Sequence, residues 1–393
     1  MSNVGSYDKR CLVVVGYAPS GLGYPQAHMT VDVLRKSGSF DVLDFCRWEP
    51  EQLDFWAFKT GSRARTIFRG VVVLLRSFLS VLKVRFSGAI KSPGKTWIYF
   101  PYPAMFSLIA WSIVCRQCQS RIVCDAYISV FDSAVSDRGI LHSGLLAKIL
   151  FKLEQNALSK AHRVIVDTTR NEERLSELFQ LPKQHFASMP IAIPEERLKS
   201  SARNILRKSR PSSDLIFFGA ISPLHGIDVV LDAFELLSGQ GVSLTIVGDG
   251  QHGRRVAEYL GTHPRAHIHW IREWQPLENL TRIIIDSKIA LGVFGGAGKA
   301  STVLPLKAYI ALCLGMPFVT QRYFSLPAGA PPPPFVTCQN HPSSLAEAVS
   351  PLLKDSARRR DLATASRLYF DRHLSNKVVL ANWRRLAQAT ELR

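Results

Sequence analysis

Acidic residues are the scarce class in this chain. Asp and Glu number 31 against 49 Lys and Arg, a formal charge of +18. Between Asp54 and Asp125 there is no carboxylate at all, while the interval carries Lys59, Arg63, Arg65, Arg69, Arg76, Lys83, Arg85, Lys91, Lys95, Arg116 and Arg121. An imbalance this large points to an anionic partner. Long apolar runs are missing too. None reaches the ~18–20 residues a spanning helix needs, because Arg69 and Arg76 interrupt the best candidate and Lys83 with Arg85 closes it. The first residues, MSNVGSYDKRCLVVVGYAP, lack the apolar core and cleavage site of a secretory leader. The 7 cysteines, at irregular spacings, favour reduced thiols and a cytoplasmic compartment. Cys115 and Cys118 form a CxxC with no second pair, so a four-ligand zinc site is not expected. Helix-turn-helix, RNP-strand and zinc-finger patterns are absent, which argues against nucleic acid as the anionic partner, and no repeat at solenoid spacing is present.

What remains is an ordinary globular composition, 47% apolar, long enough for two or three domains with full cores. Within the carboxylate-free interval the cations alternate with Ile67, Phe68, Val71 to Leu75, Phe78, Leu79, Val81, Leu82, Val84 and Phe86. A basic helix with a broad apolar face suits an interfacial contact with an anionic membrane surface, where each cation contributes roughly 1 kcal/mol. The alternative is a core helix whose cations reach out into solvent.

Strand-like apolar runs alternate with helical spacings along most of the chain. CLVVVGY (11–17) runs into a Gly-containing turn and a helix, the opening of a doubly wound α/β domain. TWIYFPYP, RIVCDAY and HRVIVDTT read as further strands, with helices predicted over 104–118, 143–161 and 171–179. Residues 194–213 are polar, basic and Pro/Ser-containing, and mark a linker. The alternation resumes at Leu215 and continues to about residue 353, and the tail from Arg358 reads as two helices with Trp383 and Leu386 on one face.

Three Gly-punctuated units stand out: LIFFGAISPLHGIDVVLDAFELL, SLTIVGDGQ and KIALGVFGGAGKASTVLPLKAYIALCLGMPFVT. A strand running through a Gly turn into a helix leaves backbone N–H groups free to receive phosphate oxygens. In this order, together with RIVCDAYISVFDSAVSDRG, the units resemble the family 4, or group 1, glycosyltransferases over nearly the whole chain, and among them a divergent bacterial subgroup. The resemblance implies an α/β chain of the GT-B type, with two Rossmann-like doubly wound domains facing a central cleft. It implies an acceptor-binding domain over 1–200 that carries the basic membrane-contact segment 60–95. A nucleotide-sugar domain then spans 201–365, and a helix in 366–393 packs back on the first domain.

The resemblance also implies a donor site. Gly219 lets the backbone approach the donor pyrophosphate, Gly21 and Gly23 do the same from the first domain, and Gly226 belongs to the same donor-binding turn as Gly219. The family's usual Arg and Lys after the first glycine are replaced by Ala220 and His225, and its Glu pair by Thr302 and Ile310. Lys299 and Lys307 are the cations left to compensate, as point charges on a leaving diphosphate. His225 in the Lys position implies donor affinity that weakens as pH rises through its pKa. Arg272, after HIHWI, falls where relatives contact the nucleotide base. Without an Asp-x-Asp pair no metal is expected, nor any cofactor beyond the nucleotide-sugar co-substrate.

Asp125 ends an apolar strand, where α/β sheets present ligand-facing groups, and Asp132 follows closely. Either suits a general base for an acceptor hydroxyl, although Asp132 also reads as a helix N-cap and Asp137 as half of a surface ion pair. His28 reads equally as a ligand contact or an ordinary helix residue. The leading expectation is a transferase working on a lipid-linked or saccharide acceptor at the inner membrane surface. A non-catalytic GT-B scaffold and a nucleotide-sugar epimerase are the alternatives.

Overall fold

The structure is a computed structural model that describes residues 10–21, 25–49, 63–90, 96–115, 120–137, 144–205, 212–296 and 298–389. Gly23, Cys118, Lys91, Lys95 and Arg116 lie outside the described residues. The chain divides into two compact units, one comprising Met1–Ala192 and Val379–Arg393, the other Ile193–Val378.

The first unit is built on β1 (Arg10–Val14), β3 (Phe40–Asp44), β5 (Trp97–Phe100), β6 (Arg121–Asp125), β7 (Arg163–Val166) and β8 (Phe186–Ser188), while β2 (Tyr17–Pro19) and β4 (Arg47–Glu49) pair apart. The six strands run parallel in the order β3-β1-β5-β6-β7-β8. Apolar side chains on both faces of these strands must be covered, and helices on each side do so. The order reverses at β1, whose neighbours are β3 and β5. An open sheet of this kind presents its ligand-facing groups beyond the strand ends at such a reversal.

The second unit repeats the principle with β9 (Ser213–Phe218), β10 (Leu244–Val247), β11 (Ile268–Ile271), β12 (Ser287–Leu291), β13 (Phe318–Gln321) and β14 (Val336–Cys338), parallel in the order β11-β10-β9-β12-β13-β14. Its reversal falls between β9 and β12. Beneath it lies a core of Leu215, Phe217, Ile227, Phe234, Ile289 and Phe294 with their neighbours.

The boundaries depart from those expected at residues 200 and 366. The second unit begins at Ile193, so the stretch expected to be a linker contains helix Glu195–Asn204, whose Leu198 is fully buried. The chain re-enters the first unit at Val379, inside helix Asn376–Ala389, and helix Ser356–His373 stays with the second unit. Burial explains the shift. Trp383 is 1% exposed and packs edge-on against Tyr99 and Phe40 of the first unit, whereas Phe370 is covered within the second. The two crossing points lie side by side, because the Asn376 side chain donates to the Ile193 carbonyl at 2.9 Å and accepts from the Ile193 N–H at 3.2 Å.

Candidate active site

In the second unit Gly219, His225, Gly226, Lys299, Thr302 and Lys307, all expected at a donor site, gather at the reversal of the sheet. β9 ends at Phe218, and Gly219 follows with φ +108°, a conformation that side chains other than glycine rarely adopt. A Cβ on Gly219 would lie 3.9 Å from Lys307 Cε and 4.0 Å from His225 Cε1, so the three form one small surface. The chain then makes a short turn, Pro223–His225, and enters helix Ile227–Leu237 through Gly226. Gly226 has φ +65°, and a Cβ there would meet the Phe294 carbonyl carbon and oxygen at 2.3 Å. That close approach lets the Phe294 N–H donate to the His225 carbonyl at 3.1 Å. The loops leaving β9 and β12 are thereby joined.

Lys307 was expected here, but its burial was not. A lysine in the first turn of helix Leu306–Leu314 is electrostatically misplaced, and solvent would be its ordinary refuge. It is instead 5% exposed. Its ammonium lies 3.9 Å from the centroid of the Phe217 ring and donates to the Gly292 carbonyl at 3.3 Å. Burial pushes its pKa down to about 7.

His225 does not carry the charge expected of it. Burial, then the neighbouring charge of Lys307, holds its imidazole well below the usual histidine range. Nδ1 faces the Ala220 carbonyl, which can only accept, so the proton sits on Nδ1 and Nε2 keeps a lone pair. A titration of His225 between pH 6 and 8.5 is therefore not the source of any pH dependence in the unliganded protein.

Lys299 and Thr302 bound the four-residue helix Lys299–Thr302, which packs beside the Pro223–His225 turn. Lys299 is half-buried; Thr302 is buried, and its hydroxyl donates to the Lys299 carbonyl at 3.0 Å. Gln321, at the end of β13 and 1% exposed, accepts from the Gly296 N–H at 2.9 Å and donates to the Gly296 carbonyl at 3.1 Å. It holds the glycine loop after β12 in place. Neither Gln321 nor Phe217 stood out in the sequence; a polar residue closing the apolar strand FVTQ was the available signal. Arg272 follows β11, two strands from the reversal, where it pairs with Asp249 at 3.1 Å and lies over the Trp270 ring at 4.6 Å.

The first unit has its own reversal. Gly16 follows β1, and its N–H donates to Ser80 Oγ at 2.9 Å, tying helix Arg63–Ser87 to the sheet's C-terminal edge. Arg76 of the same helix pairs with Glu49 at 3.2 Å and lies over Tyr17. Gly21 is half-buried and follows β2. His28 lies edge-on to Trp48 with Asp32 at 3.8 Å, the arrangement of an ordinary helix residue.

Both carboxylates expected as bases are covered. Asp125 ends β6 but is 2% exposed, accepts from the Tyr99 hydroxyl, and has its pKa pushed up to about 7 by burial. Asp132 is 5% exposed and pairs with Arg174 at 3.0 Å. Nor is Asp132 the N-cap, because Ser129 Oγ accepts from the Asp132 N–H at 3.1 Å. Asp137 closes the short helical turn Ser133–Asp137. Among the described residues no three His, Cys, Asp or Glu side chains gather in a way that would hold a metal ion.

Two parallel α/β units, each with a reversal in its strand order, form a doubly wound class of architecture. Comparison with known proteins narrows it. Residues 212–355 match the family model described as glycosyl transferases group 1. A sequence search of curated proteins finds no match. Among solved structures, a sucrose-phosphate synthase from Thermosynechococcus elongatus superposes with a TM-score of 0.66 at 15% identity, over 98% of this chain and 100% of the other. Anabaena HepE in complex with UDP gives 0.62 at 12% identity, over 98% and 100%. A UDP-forming trehalose-phosphate synthase from Burkholderia xenovorans gives 0.63 at 14% identity, over 96% and 99%. The fold is that of the GT-B glycosyltransferases across nearly the whole chain.

Proposed function

We propose that the protein is a glycosyltransferase that moves a sugar from a nucleoside-diphosphate donor to a lipid-linked or polysaccharide-precursor acceptor at the cytoplasmic membrane face, without an obligatory metal ion. The observation that carries this reading is the buried ammonium of Lys307 beside Gly219, at the reversal of the second unit's sheet. As a glycosidic bond to a diphosphate breaks, negative charge collects on the leaving oxygens. A cation already stripped of water stabilises that charge more than a solvated one would. Lys299 adds a second charge from the neighbouring short helix. The neutral His225 offers its Nε2 lone pair to a hydroxyl of the donor, so it orients the donor and leaves phosphate neutralisation to the lysines.

The acceptor half of the proposal rests on helix Arg63–Ser87, which has no carboxylate and leaves Phe68, Leu75, Leu79 and Phe86 exposed. No helix among the described residues is long and apolar enough to cross a membrane. A carrier lipid would bring its saccharide to such a surface.

Calorimetric titration with UDP, GDP, ADP and TDP in metal-free buffer tests the donor half. Anabaena HepE was crystallised with UDP, which makes UDP the first nucleotide to try. We expect one nucleotide to bind selectively and Lys307→Ala to weaken it at least tenfold. Absence of binding to all four by a folded protein would favour a non-catalytic scaffold.

A further inference from the structure

We infer that the first unit rests on an anionic phospholipid bilayer through a face built by three helices, in which helix Leu145–Leu158 is an anchor equal to helix Arg63–Ser87. The inference deepens the membrane part of the function proposed above and relies on it. Helix Arg63–Ser87 packs on helix Ala104–Val114, which in turn packs on helix Leu145–Leu158. Each sends its inner side, including Val81, Leu108 and Leu158, into the same core.

The outer sides are apolar as well. On the first helix Phe68, Val71, Leu75, Leu79, Leu82 and Phe86 are all exposed, Phe68 by 66% and Phe86 by 81%. Their steps of three and four residues place them in one stripe, which rises roughly 27 Å along the axis. Ile113 of the middle helix is 64% exposed. On the third helix Leu145, Leu146, Ile149 and Leu153 form a second stripe, with Leu145 73% exposed. An apolar surface spread over three adjacent helices is more than the scattered exposure normal for a soluble protein.

Charge selects the occupant. The first two helices contain no Asp or Glu, and the third has only Glu154. Glu154 is 2% exposed and turns inward, accepting from Ser129 Oγ and from the Val130 and Phe131 N–H groups. Lys83, Arg85, Lys148 and Lys152 are exposed on the same helices. An aliphatic face carrying cations, with no exposed carboxylate on its helices, complements the acyl chains and anionic headgroups of a bilayer. Two copies meeting through it would bring like charges together, which disfavours self-association.

The test is sedimentation of the full-length protein with vesicles of phosphatidylcholine, with and without phosphatidylglycerol. It would compare the wild type, a variant with Leu145, Leu146, Ile149 and Leu153 changed to Ser, and a variant with Phe68 and Phe86 changed to Ser. All six side chains are exposed, so folding should survive, and circular dichroism with a thermal melt of each sample checks that it does. The wild type should prefer phosphatidylglycerol vesicles, and each variant should lose at least about tenfold in partitioning. Lys148→Gln with Lys152→Gln should lower binding mainly at low salt.

Wild-type partitioning by the four-serine variant, with loss only in the Phe68/Phe86 variant, would overturn the three-helix face and leave the membrane reading standing. Equal binding to neutral vesicles would overturn the choice of anionic lipid. If the wild type binds no vesicles but dimerises in sedimentation velocity, and the serine variants are monomeric, the face is a self-contact and both membrane statements fail. The donor-binding titration decides the transferase reading separately.

Discussion

Burying an ammonium group requires a return elsewhere, and at Lys307 the local partners are one carbonyl and one aromatic face. A lysine whose pKa falls from its ordinary value to about 7 on folding binds fewer protons in the folded state between those two values. Stability of the unliganded protein therefore rises with pH from about 7 towards 10.5. The penalty is fully present below pH 7. Lys307→Met should stabilise the unliganded protein at pH 7 by about 2–4 kcal/mol, a gain that disappears near pH 10.5, and should abolish nucleotide binding. Urea melts at pH 7 and pH 10 read the first effect and calorimetry the second. A diphosphate bound beside Lys307 favours its charged form, so binding takes up a proton once the free lysine is neutral. Nucleotide affinity should fall by up to about tenfold per pH unit above pH 7.5, and Lys307→Arg should flatten the profile. This places the pH dependence on Lys307, where the sequence had suggested His225.

At the scale of elements, the site depends on how closely two loops approach. The left-handed turn at Gly226 allows the β9 loop to lie against the Phe294 backbone, and any side chain at that position is blocked by the carbonyl at 2.3 Å as well as by its φ. Gly226→Ala should cost about 2–4 kcal/mol and weaken nucleotide binding, because the His225 and Phe294 loops must separate. Thermal melts with and without UDP would show both effects. The glycine turns were legible in the sequence, since a Gly between an apolar strand and a helical spacing is a local signal. The approach of Phe294 was not, because the two loops are separated by about three strands of chain. Helix Leu145–Leu158 makes the same point. Its apolar positions occupy most of its circumference, and periodicity alone does not say which of them the core covers.

At the scale of the whole molecule, the chain leaves its first unit at Ile193 and returns at Val379. The return is held by Trp383, fully buried against Tyr99 and Phe40. Removing that indole should destabilise the first unit by about 3–5 kcal/mol. Trp383→Ala is expected to lower its unfolding midpoint in hydrogen exchange while leaving exchange in β9, β12 and the Lys307 helix unchanged. Equal loss of protection in both units would show that they unfold together.

Alternating strands and helices, the glycine turns, the carboxylate-free basic segment and the resemblance to the GT-B transferases were all set by residues adjacent in the chain. Periodicity and turn chemistry act over a few residues, so one sequence displays them. Tertiary structure alone decided that Lys307 is buried, that His225 stays neutral and that Asp125 and Asp132 are covered. It also decided that the unit boundaries fall at Ile193 and Val379, and that the apolar basic surface spans three helices. Each of these depends on which distant segments exclude water from a given side chain, and desolvation is a property of the packed molecule that no local pattern encodes.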